Sequence, residues 1–172
     1  LVGEKAADLL PQAITDSLSQ LGNKMNFLIL GSGDKKVEQQ LTYLTGNFAG
    51  YYNSKIGYNE KLAHQMYAGA DFILMPSRVE PCGLNQMYAL RYGTIPIVRS
   101  TGGLKDTVVD FGEPNGFGIR FNYASVWDIT YSIHRAVELF EDKEKMIEIR
   151  KQIMAIDNSW EKSAEKYINL YT

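Results

Sequence analysis

Three short apolar runs constrain the fold of this 172-residue chain more than any other feature: MNFLILG at 25–31, DFILMP at 71–76 and TIPIVR at 94–99. Each is too short to be a helix of its own and lacks the alternation of a half-exposed strand. Such runs are the pattern of strands buried on both faces of a parallel sheet. Parallel neighbours must be joined by crossovers, and helical periodicity fills the intervals between the runs. The pattern predicts an α/β fold with a doubly wound parallel sheet, helices on both faces and right-handed connections.

The remaining segments fit that frame. Residues 4–22 read as helical through Leu10, Ile14, Leu18 and Leu21, with a break expected near Pro11, placing the proline in the first turn of a second segment. A helix is expected over 35–44, a weaker strand over 51–56, and a helix capped by Asn59 with Leu62, Ala63, Met66 and Ala70 as its apolar stripe. Between the second and third runs, Leu84, Met87, Tyr88 and Arg91 recur at helical spacing. A turn-rich stretch follows Thr107, then a short edge strand at 118–121. Three helical patterns end the chain. Ser125 caps the first, whose buried face is Ile129, Ile133, Ala136, Val137 and Phe140; Met146, Ile149 and Ile153 mark the second; and Trp160, Ala164, Tyr167, Ile168 and Tyr171 mark a third, whose apolar side needs a cover.

With 45% apolar and 22% charged residues, the chain can bury one substantial core, so 1–172 is expected to be a single domain with 122–172 as its helical tail. A formal net charge of -2 disfavours nucleic acid or a membrane surface as partner. Cys82, the single cysteine, cannot form an intramolecular disulfide and fits a reducing compartment. No apolar run approaches the roughly 20 residues that span a bilayer. Because the sequence opens on Leu1 and not on a methionine, it is expected to be part of something longer.

The chemistry concentrates at 76–108. Strand, loop, helix, strand and glycine turn follow one another there, bringing two helix N-termini to one sheet edge. Such ends offer unpaired N–H groups and a partial positive charge to an oxyanion. The residues before Gly83 and Leu84 supply one end, and Thr101, Gly102 and Gly103 the other, so a diphosphate is expected between them without a metal. Glu80, following a buried strand and with no lysine four residues on, is the candidate acid. Cys82 has no nearby histidine to activate it, and His64 and His134 lie in helical patterns, so neither a nucleophile nor a metal cluster is expected. The turn Gly31-Ser32-Gly33-Asp34 invites a dinucleotide reading, yet the third glycine of the fingerprint would fall on Lys36. A tight strand-to-helix turn is the expectation.

The run Pro76-Ser77-Arg78-Val79-Glu80-Pro81-Cys82-Gly83-Leu84, with Gln86, Tyr88, Arg91-Tyr92-Gly93-Thr94 and Arg99-Ser100-Thr101-Gly102-Gly103-Leu104, resembles the bacterial glycogen synthase and plant starch synthase family. Ile56-Gly57-Tyr58, Gly69-Ala70-Asp71, Asp106-Thr107-Val108 and Ser159-Trp160 extend the resemblance over nearly the whole chain. It implies the Rossmann-like, C-terminal half of a GT-B type retaining glucosyltransferase that moves glucose from ADP-glucose to the non-reducing end of an α-1,4-glucan, with no cofactor or metal. Glu80 would lie beside the transferred sugar, orienting hydroxyls or stabilising positive charge. The amides of Cys82, Gly83 and Leu84 and the turn of Thr101, Gly102 and Gly103 would hold phosphates. Tyr58 would stack on adenine, and Lys5 would contact the leaving diphosphate.

There are departures. Tyr88 stands where many related transferases carry a second glutamate, and Ala6 where the family usually has glycine. The resemblance also implies a missing N-terminal domain that supplies acceptor contacts, so this fragment alone is expected to bind nucleotide weakly and transfer nothing. A cytoplasmic location, or a plastid in a plant, is implied with it. Two alternatives are a nicotinamide-binding dehydrogenase domain, which needs the third glycine and an acidic residue after the next strand, and a non-catalytic α/β interaction module, which needs no aligned phosphate turns.

Overall fold

The computed structural model of the chain describes residues 1–171. Two 3-10 turns lead into α1 (Leu10–Leu21), followed by β1 (Phe27–Gly31), α2 (Lys35–Asn47), β2 (Tyr52–Ile56), α3 (Glu60–Gly69) and β3 (Phe72–Met75). Then come α4 (Asn85–Tyr92), β4 (Ile95–Arg99), α5 (Gly102–Thr107), β5 (Ile119–Phe121), α6 (Val126–Glu141), α7 (Lys143–Met154) and α8 (Trp160–Tyr171). Every paired strand is parallel, as the apolar runs predict. The strands form two hydrogen-bonded groups, β1–β2 and β3–β4–β5, with β5 at an edge. Between β1 and β3 runs a cleft of about 1120 Å³ that reaches the carboxyl ends of both strands.

Helices cover both faces. Val98 of β4 packs with Leu90 of α4, Leu104 of α5 and Ile149 and Ile153 of α7, while its neighbour Ile97 packs on the other side with Ala13 of α1 and Ile129 and Ile133 of α6. Adjacent strand residues point to opposite faces, so one unbroken run feeds two core layers. Helix α1 ties the two strand groups together: Ile14 and Leu18 are buried against β1 and β2, and Ala13 against the α6 layer.

Local signals hold where a side chain caps the backbone. Pro11 sits in the first turn of α1, Asp34 accepts from the amides of Lys36 and Val37, Asn59 from Leu62 and Ser125 from Asp128. Burial departs from expectation in two elements, β1 and α3. Leu28 is half-exposed, so β1 is not covered on both faces; it borders the cleft. No residue of α3 is fully buried. The buried face of α4 is Gln86, Ala89 and Leu90, whereas Leu84 and Tyr88 are exposed. Helix α8 leaves Trp160, Tyr167 and Tyr171 exposed, the uncovered apolar side expected from the sequence.

Asp110 pins β5 to α6. Its carboxylate accepts from Arg135 at 2.6 and 2.9 Å and from the backbone amides of Arg120 at 2.7 Å and Gly112 at 3.0 Å. Burial opposes the charged form, but the Arg135 and backbone hydrogen bonds prevail and hold the carboxyl below its ordinary value of 3.8. A depressed carboxylate contributes stability that is present above its unfolded value and lost as pH falls through the folded one. Unfolding measured against pH should therefore show acid destabilisation beginning near pH 4 that is diminished in Asp110→Asn. At neutral pH that variant should lose about 2–3 kcal/mol.

Candidate functional site

The loop 77–84 leaves β3 at the carboxyl edge and is held by backbone contacts from three sides. Arg99, at the end of β4, donates to the carbonyls of Ser77 (2.7 Å) and Arg78. The Gly103 amide, at the start of α5, donates to the carbonyls of Glu80 (3.1 Å) and Pro81 (3.2 Å). Gln86, in the first turn of α4 and fully buried, donates through Nε2 to the carbonyls of Cys82 (3.2 Å) and Gly83 (3.0 Å).

The amino-terminal turn closes the fourth side. The amides of Arg78 and Val79 both donate to the Glu4 carbonyl. Arg78 grips the Gly3 carbonyl and forms a two-pronged pair with Asp8, and its guanidinium holds the Asp8 carboxyl below the usual carboxylate range. Lys5 is thereby carried to Glu80, with Nζ 2.5 Å from Oε2. The Ser77 hydroxyl donates to the same oxygen at 3.1 Å. Glu80 is mostly buried, with 11% of its side chain exposed, whereas Lys5 is half-exposed at 47%, so the cation can change partner more readily than the carboxylate. Ala6, next to Lys5, is buried with φ 51° and ψ 31°, a left-handed conformation costing a side-chain-bearing residue about 1 kcal/mol. Glycine would adopt that conformation without the penalty.

The expected site residues are only partly brought together. Lys5, Glu80, Gly83 and Leu84 line one cleft, between the ends of β1 and β3. Cys82 is exposed on the adjoining loop. Thr101, Gly102 and Gly103 lie directly against this loop, but the Gly103 amide is occupied by Glu80 and Pro81. That is a correction to the picture of two equivalent helix ends: the glycine turn grips the loop through this amide and does not offer it to a ligand. A Cβ on Gly102 would stand 2.0 Å from the Glu80 oxygen and one on Gly103 1.9 Å from the Cys82 oxygen, so the pair is needed for close approach. Tyr58 is 86% exposed on the turn after β2 and does not line the cleft. Sequence reasoning gave no role to Arg78, Arg99 or Gln86, although all three stood in the recognised run, and missed Asp8 and Ser77 as partners; nothing local marks a side chain that serves a distant backbone.

A doubly wound α/β unit with a lysine–carboxylate pair and a glycine-bearing loop at its carboxyl edge defines a class of anion-binding domain. Residues 1–153 match the family model of glycosyl transferases group 1, and the chain belongs to that family. It is 58% identical over 171 residues to a glycogen synthase of Flavobacterium johnsoniae, covering 99% of this chain and 36% of that protein. To a glycogen synthase of Rhodospirillum rubrum it is 42% identical, covering 99% and 35%. The catalytic domain of starch synthase IV from Arabidopsis thaliana, solved with ADP and acarbose, matches with a TM-score of 0.88 at 36% identity, covering 99% of this chain and 36% of that one. TarM, at 19% identity and a TM-score of 0.71 over 99% of this chain and 33% of that one, shares the fold. The chain thus spans just over a third of the curated relatives it matches. The fold is one half of the GT-B type, and neither the nicotinamide nor the interaction-module alternative is favoured.

Because the Gly103 contact is backbone against backbone, no rotamer can relieve it. Gly103→Ala should lower stability by about 2 kcal/mol or more in denaturant unfolding. Gly46→Ala, where nothing lies within 4 Å of the added methyl, should cost nothing.

Proposed function

We propose that this chain is the nucleotide-sugar-binding part of a retaining glucosyltransferase of the glycogen and starch synthase type. In it, residues 1–172 act as one domain and 122–172 serve as its helical tail. The donor is ADP-glucose and the acceptor an α-1,4-glucan, with acceptor contacts supplied by an N-terminal domain outside these residues. The observation that carries the reading is the pairing of Lys5 with Glu80 in the cleft that Gly83 and Leu84 also line. The glycogen synthase relatives and the ADP-bound starch synthase neighbour support the substrate class.

Donor binding brings a diphosphate that competes with Glu80 for Lys5. As the glycosidic bond to phosphate breaks, negative charge grows on the leaving diphosphate and positive charge on the sugar. Lys5 and the loop amides stabilise the first. Glu80, held by Ser77, stays at the sugar, where it orients hydroxyls and stabilises the second without forming an adduct. Tyr58 supplies an exposed ring for adenine, and the turn of Thr101, Gly102 and Gly103 fixes the phosphate loop from beneath. No metal or cofactor takes part, and neither nucleic acid nor membrane is a partner; among the described residues no helix is long and apolar enough to cross a membrane. A cytoplasmic location accords with this chemistry, since nucleotide sugars are made inside cells.

In the full-length protein, Glu80→Gln should lower glucose transfer by about 100-fold or more while ADP still binds. Near-normal turnover would remove Glu80 from the mechanism. Titration calorimetry should give heat with ADP and none with NAD, and the isolated chain should bind ADP weakly; tighter binding of NAD would overturn the donor assignment.

A further inference from the structure

We infer that Gln86 is a positioning residue that aims the amides of Gly83 and Leu84 into the cleft, while the start of α5 sets the Cys82 amide beside them. The inference deepens the proposed donor site and rests on that reading. Its basis is the geometry of the trans peptide, in which the carbonyl and the following N–H point in opposite directions. No peptide bond here is cis. The Pro81 carbonyl is drawn inward by the Gly103 amide, and those of Cys82 and Gly83 by Gln86 Nε2. The N–H groups of the same three peptide units belong to Cys82, Gly83 and Leu84, and they are turned outward together. Among the described residues these three amides donate to no protein acceptor. Gly83 and Leu84 border the cleft beside Lys5. Successive amides facing one way form a concave anion site.

Gln86 is equipped for this task and poorly suited to any solvent role. Its side chain is fully buried, and Nε2, whose two hydrogens are shared among three acceptors, also lies 3.0 Å from the Thr107 hydroxyl, which itself donates to the Gly103 carbonyl. One carboxamide therefore ties the first turn of α4 to the last residue of α5. Its Oε1 is buried without a partner and lies 2.5 Å from where a Cβ on Gly83 would stand. Together with φ +70°, this close approach requires glycine at 83. A side chain retained with one orphaned buried acceptor carries a desolvation cost, and what it secures in return is the orientation of two carbonyls.

The test compares ADP with adenosine in the full-length protein, by calorimetry, for wild type, Gln86→Met and Gln86→Glu. Methionine keeps the volume without the donor, and glutamate keeps the shape but its ionised form cannot donate. Both variants should bind ADP at least about tenfold more weakly while binding adenosine within about twofold of wild type, because adenosine has no phosphate for the amides to hold. Equal weakening of both ligands, or of neither, would overturn the inference. If neither variant at position 86 folds, the same comparison is made with Thr107→Val, which withdraws one anchor of the carboxamide; a ratio of the two affinities unchanged from wild type would then overturn it. Absence of ADP binding by the wild type would instead overturn the donor site itself, so the two failures are distinguishable.

Discussion

An irregular loop can floor a cleft only if each carbonyl it turns inward meets a donor, because an unpaired buried carbonyl costs about as much as a lost hydrogen bond. The loop 77–84 satisfies this condition from outside itself. Arg99 meets Ser77 and Arg78, the Gly103 amide meets Glu80 and Pro81, and Gln86 meets Cys82 and Gly83. Those donors come from the end of β4, the start of α5 and the first turn of α4. The parallel sheet matters to the site because it delivers all three to one edge, beside the carboxyl end of β3. Under the proposed function, stability and ligand binding share the same contacts: what holds the carbonyls in also turns the amides out.

The electrostatics follow from the same anchoring. With two amides bonded to the Glu4 carbonyl and Arg78 bonded to Gly3 and Asp8, the amino-terminal turn has no freedom to leave the loop. Lys5 thus meets Glu80 from 75 residues away in sequence. A half-exposed cation beside a mostly buried carboxylate is poised to exchange one anionic partner for another. In the proposed mechanism the carboxylate would keep the Ser77 hydroxyl, which already donates to it, when the lysine turns to a ligand.

Much of the fold was legible in the sequence because it depends on local rules. Parallel strands announced themselves through apolar runs, and Asn59 and Ser125 cap the helices whose starts they suggested. The gap between β1 and β3, which exposes Leu28, depends on how two layers meet and left no mark on periodicity. The burial of Gln86 in α4 was equally unmarked: spacing showed a helix there, but the glutamine is buried where it donates to loop carbonyls, a tertiary demand that periodicity does not carry. Glu80, Gly83 and Lys5 were singled out through strand-edge logic and family resemblance. Their shared cleft was not visible, since Asp8 and Arg78, which bring the lysine in, interact across 70 residues.

The most direct measurement is amide NMR on protein labelled with ¹⁵N at cysteine, glycine and leucine, titrated with ADP and separately with adenosine. Outward amides holding a diphosphate predict large downfield proton shifts at Cys82, Gly83 and Leu84 with ADP alone, while Gly103, already bonded inside the protein, moves little. ADP binding that left those three resonances in place would contradict the assignment of the loop as the phosphate cradle.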